Sequence, residues 1–127
     1  MINVCRAASA SFGVFASERI ATSGAGAHGI FAQYAGGAHG GDGDPVADHT
    51  IDVQTSGSIY ATGAGAHAVH VENMGAGAGQ AKIELGGHSV IQGGAGASYD
   101  NAANGAGVFI NSNQNTTLVN SGTISAL

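Results

Sequence analysis

Six histidines stand among 127 residues, and two of them are placed alike: His28 and His67 each close a Gly-Ala-Gly-Ala-His run, thirty-nine residues apart. If the two runs lie side by side on neighbouring strands, their imidazoles come within about 5 Å. Rings at that spacing could share a metal through Zn–N bonds of about 2.0–2.1 Å. A complete site needs a third ligand, from His70, His88 or His39. The competing arrangement is a ladder of histidines at a turn, facing water or stacking edge to face. The ladder needs no ion and is preferred, so no metal ligand is assigned. His70 alternates with Val69 and Val71 and is expected to point outward from its strand.

The remaining chemistry is sparse. Gly40-Gly-Asp-Gly-Asp44 is similar to the calcium nonapeptide Gly-Gly-x-Gly-x-Asp, but it is one residue short and occurs once. Calcium in such repeats is held between consecutive copies, so a solvated acidic loop ended by Pro45 is the better reading. Gly24-Ala-Gly-Ala-His-Gly29 fits Gly-x-Gly-x-x-Gly but lacks the helix whose N-terminus would hold a pyrophosphate. Asp42, Asp44 and Asp48 cluster only in the loop, while Asp52 and Glu84 are expected outward on corresponding strands, as a solubilising pair. A glycoside hydrolase needs two carboxylates set across a bond, and a serine hydrolase needs Gly-x-Ser-x-Gly; neither is found. No catalytic residue, cofactor or metal is assigned, and the chain is not read as an enzyme.

The elements that must carry these residues are repeats. Ile20-Ala-Thr-Ser-Gly-Ala-Gly-Ala-His28-Gly-Ile-Phe-Ala32 returns as Ile59-Tyr-Ala-Thr-Gly-Ala-Gly-Ala-His67-Ala-Val-His-Val71. Ser89–Ala97 aligns with Ser58–Ala66 at an offset of thirty-one, and Ala106–Ile110 with His67–Val71 at thirty-nine. The polar segment Ser98–Asn104 absorbs the difference. A fourth copy opens at Asn120-Ser-Gly-Thr-Ile-Ser-Ala126 and stops in mid-repeat. Such a unit cannot bury its apolar face alone, so copies must stack.

Within a copy, apolar residues alternate over three to five positions, as in Ile51-Asp-Val53, Lys82-Ile-Glu-Leu85 and Val108-Phe-Ile110. Period two with β-branched residues is the half-buried strand signal, and no segment holds a helical period for two turns. Three short strands per copy, joined by glycine corners, make one coil of a parallel β-helix. The expectation is an all-β, right-handed parallel β-helix, or solenoid, of three to four coils, truncated at both ends. Approximate coils are 1–46, 47–79, 80–115 and an incomplete 116–127. Two inward stacks are expected: Ile20, Ile59, Val90 and Ile124, and Ile30, Val69 and Val108. Gly36–Pro45 and Ser98–Asn104 are expected as inserted loops, and Asn111–Asn115 as a turn whose amides satisfy nearby backbone groups.

Composition narrows the classes. Ile, Leu, Val and Phe together number 25, thin for a compact globule but adequate for narrow stacked coils. Net charge is −5, and only Arg6, Arg19 and Lys82 are cationic. That leaves no stripe to neutralise phosphates and no polybasic membrane anchor. Cys5, the single cysteine, cannot form an internal disulfide. No apolar run of eighteen residues exists. Met1–Ala16 reads as the tail of a preceding coil rather than a signal peptide, with Phe12-Gly-Val-Phe15 as a strand.

Thr22-Ser-Gly-Ala-Gly-Ala-His-Gly-Ile-Phe-Ala-Gln33, followed by Gly36-Gly37, and the Asn120–Ala126 segment resemble passenger repeats of bacterial autotransporters, the type V secretion proteins. The resemblance spans nearly the whole chain on motifs of low information. It implies a passenger displayed extracellularly on a Gram-negative cell. With no export signal or translocator barrel read in this segment, the chain is expected to be a passenger fragment or a short relative that has lost both ends. It also implies a structural or adhesive role through outward faces and loops, toward a host surface or glycan ligand. Self-association through the terminal coils is expected from their open strand edges. Nucleic acid and direct membrane insertion are not expected. The alternative is a fragment of a β-helical polysaccharide-active enzyme whose catalytic coils lie outside this chain.

Overall fold

The computed structural model describes residues 1–6, 12–34, 49–74, 79–95 and 105–127. Its first coil holds β1 (Ile2–Arg6), β2 (Phe12–Ala16) and β3 (Ile20–Thr22). The second holds β4 (Ile30–Tyr34), β5 (His49–Thr55) and β6 (Ile59–Ala61). The third holds β7 (Val69–Asn73), β8 (Gln80–Leu85) and β9 (Val90–Gly93), and the fourth β10 (Val108–Ser112), β11 (Thr116–Asn120) and β12 (Thr123–Ala126). Each strand pairs in parallel with its counterparts one coil away. The result is three four-stranded sheets: β1-β4-β7-β10, β2-β5-β8-β11 and β3-β6-β9-β12. The chain is a parallel β-solenoid of about four coils.

Register follows the alternation read in the sequence. Ile2, Ile30, Val69 and Val108 form one inward row on the first sheet. Val14, Val53, Ile83 and Leu118 form another on the second. Ile30, Ile51, Ile59, Val69, Ile83 and Ile91 are fully buried, each contributing roughly 1.5–3 kcal/mol relative to exposure. Burial weakens at the last coil: Leu118 points inward from β11 yet is 42% exposed. The Ile30–Val69–Val108 stack is as expected.

The other stack needs one correction. Ile59 pairs with Ile91, and Ile91 with Ile124, while Val90 pairs with Thr123. The cause is the corner after β8. From the Thr55 row to the Ile59 row takes four steps, but from the equivalent Leu85 to Ile91 takes six. The turn at Gly87–His88 occupies the extra length, with His88 at a φ of 69°. A slip of one residue exchanges inward for outward side chains. Ile91 is therefore in the core, and the Val90 N–H instead donates to the Ser58 hydroxyl at 3.1 Å.

Asp52 and Glu84 also need correcting as a pair. Asp52 stands opposite Lys82, and Glu84 opposite Gln54. Lys82 Nζ lies 2.8 Å from Glu84 Oε1, while the Gln54 amide donates to the Asp52 carboxylate at 3.3–3.4 Å. In the Asn111–Asn115 turn, the Ser112 hydroxyl carries much of the local bonding, donating to Gln114 O and accepting from Gln114 N–H. The segments Gly36–Pro45 and Ser98–Asn104, with His39, Asp42, Asp44, Asp48 and Asp100, lie outside the described residues.

Candidate functional site: a histidine ladder at a coil corner

The Gly-Ala-Gly-Ala-His runs form the corners leading into β4 and β7. Ala27 N–H donates to Gly24 O at 2.9 Å, and Ala66 N–H to Gly63 O at 3.1 Å, closing two equivalent four-residue turns. Each turn needs a positive φ at its third residue, which glycine supplies at little steric cost. Gly26 and Gly65 do so with φ of 65° and 66°. His28 and His67 follow the turns directly and precede the first sheet's strands.

At these corners an imidazole takes the place of a carbonyl in the coil-to-coil bonding. The backbone N–H of His67 donates to His28 Nδ1 at 2.9 Å. The backbone N–H of Ala106, thirty-nine residues further on, donates to His67 Nδ1 at 3.1 Å. The ladder stops there, because alanine offers no acceptor side chain.

These bonds assign the protons. A neutral imidazole whose Nδ1 accepts must carry its hydrogen on Nε2. His28 Nε2–H therefore donates to His70 Nδ1, 3.1 Å away. His70, accepting at Nδ1, donates from Nε2 to Glu72 Oε1 at 3.1 Å. Gln33 Nε2 donates to the other Glu72 oxygen at 2.6 Å. All three histidines are consistent as one tautomer, with every Nδ1 accepting an N–H.

Ring packing holds the arrangement. Phe31, His70 and Phe109 share one outward row of the first sheet, and His28 and His67 lean over that row from the corners. The His28 and His67 rings stack at 4.9 Å with an interplanar angle of 6°. Phe109 extends the stack from His67 at 4.6 Å. His70 meets all four rings edge-on, with centroid distances of 4.5–5.0 Å. His67 is 2% exposed and His70 9%, so this is a small core outside the sheet.

The electrostatics follow from burial. Burial pushes the His67 pKa down to about 4, and the neighbouring His70 and His28 push the same way. His28 is lowered by burial and by His70, against the pull of Glu72. His70 is lowered by burial despite its carboxylate partner. Two imidazolium charges 4.9 Å apart would repel by about 3 kcal/mol at an effective dielectric of 20. The site is built for neutral rings.

That chemistry bears on metals. His28, His67 and His70 each place a nitrogen within 4.8 Å of the others, the number and grouping of a three-histidine site. A ligating histidine binds through an unprotonated nitrogen and donates its other N–H to an acceptor. His28 and His67 do the reverse: Nε2 holds the proton, and Nδ1 faces a backbone donor. Their ring planes are within 6° of parallel at 4.9 Å, so in-plane lone pairs of the two rings do not converge on one point. Loading the site would sacrifice both coil-to-coil bonds.

The expected ring spacing of about 5 Å is therefore found, and His70 is the histidine brought to the pair. His88 sits in the exposed turn between β8 and β9, at a different corner. The outward direction read for His70 is correct, but the ring is covered rather than solvated. The missed partners were Phe31 and Phe109. Their signal was present, since they flank His70 at the same offset of thirty-nine. Compared with protein-family models, curated proteins and solved structures, the chain matches none.

Proposed function

We propose that this solenoid is a structural and adhesive segment of an autotransporter-type passenger, displayed extracellularly and binding through its outward faces and inserted loops. The observation that carries the reading is how the coil divides its side chains. Inward rows pack, the histidine corner bonds coil to coil, and the outward row of the second sheet stands open. That row borders a groove of about 460 Å³ lined by Phe15, Gln54, Glu84, Val119 and the corner serines Ser56 and Ser121. Phe15 is 69% exposed. An exposed aromatic ring beside amide, carboxylate and hydroxyl groups suits a hydroxyl-rich ligand such as a glycan. Function on such a scaffold resides in sites carried by the fold rather than in the fold itself.

The test is to fuse the segment to a complete exporter and compare cell adherence with and without residues 36–45 and 98–104. A Phe15→Ser variant tests the groove in the same assay. Reduced adherence in any of these is the expected result. Unchanged adherence in all of them would leave only a spacer role, and finding the native protein in the cytoplasm would defeat the reading.

A further inference from the structure

We propose that the His28–His67–His70 cluster is an acid-released latch, joining successive coil corners at neutral pH and letting them part when its rings take up protons. The argument is geometric. Each ring has one nitrogen free of hydrogen, and in each that nitrogen already accepts an N–H: from His67 and Ala106 backbone, and from His28 Nε2. Protonation therefore sets a donor against a donor at every ring. The first proton on His28 or His67 breaks a bond between coils. A proton on His70 breaks its bond to His28.

The surroundings give such charge little relief. From β4 the cluster meets Phe31 and Gln33, from β10 Phe109, and from its own strand Glu72. Glu72 is the one carboxylate bonded to the cluster among the described residues, and it is shared between His70 and Gln33. Arg19 lies against Tyr60 on the third sheet and Lys82 against Glu84 on the second, so neither cation takes part. The inward rows of the second sheet contain no titratable group among the described residues. Acidification should thus loosen one corner while the opposite wall holds. The device is independent of what the outward faces bind.

The test is amide hydrogen exchange of the whole chain at pH 7.0 and 5.0, corrected for intrinsic rates. With the His67 pKa lowered from 6.5 to about 4, protection of the Ala106 amide should fall about twentyfold. Val53 and Ile83 should fall far less. His67→Asn keeps an acceptor oxygen near the Nδ1 position but does not titrate, so the fall at Ala106 should shrink to the smaller part carried by His28 and His70. Equal protection at both pH values in the unaltered chain would overturn the proposal, as would an undiminished fall in His67→Asn. Should that variant fail to fold, the imidazole titration of the unaltered chain decides: apparent pKa values below 6.5 support the latch, and values at or above it refute it.

Discussion

On the first sheet the outward row Phe31–His70–Phe109 is roofed by His28 and His67, whereas on the second the outward row Phe15–Gln54–Glu84–Val119 stands in solvent. Both rows sit on four-stranded parallel sheets and cover inward rows of the same aliphatic kind. The roof makes the difference, and the corner supplies it. A turn that ends in histidine folds a ring back over the strand it introduces. Once covered, polar groups must be bonded, and the histidines are bonded in one proton arrangement. On the open face, Lys82 and Glu84 form an ion pair in water, where the hydrogen bond to Glu84 raises the lysine pKa. Such a pair adds little stability. Burial, rather than residue type, separates a coupling element from a soluble surface.

The comparison can first be broken from inside. Ile30→Ala, behind the roofed face, and Ile83→Ala, behind the open one, are both fully buried truncations. Each is expected to cost about 2–5 kcal/mol in urea unfolding. Costs that differ widely between the two would mean that the faces are distinguished by their cores and not by their roofs.

A smaller but more discriminating contrast lies outside the sheets. His67→Phe keeps a ring in the stack but leaves the Ala106 N–H without its acceptor, which is expected to cost about 1–3 kcal/mol. Gln54→Ala, on the open row, should stay within about 0.5 kcal/mol of the parent. Equal small effects would show that the ladder adds nothing. Only the first of these positions carries a pH dependence. The His67 pKa is depressed when folded, so its contribution is complete above 6.5 and is lost as pH falls toward about 4. His67→Phe should flatten that slope.

The repeat was legible because thirty-nine-residue self-similarity and period-two alternation leave few architectures. The close approach of His28 and His67 followed from their equivalent positions. The Val90 error arose where the glycine and serine pattern outvoted inward–outward parity, at a corner two residues longer than its neighbours. The cluster itself was half legible. Alternation sent His70 outward, but no periodicity states that a corner ring will fold over it. Nor does spacing reveal which nitrogen is free, since that depends on a backbone N–H contributed by the next coil.

The most direct measurement is the tautomeric state of the three histidines by imidazole nitrogen NMR at pH 7. Hydrogen on Nε2 and a bare, hydrogen-bonded Nδ1 are expected for His28, His67 and His70, unchanged by an equivalent of zinc. Hydrogen on Nδ1 of His28 or His67, or a shift of their Nε2 resonances on adding zinc, would contradict the ladder and restore the cluster as a metal site.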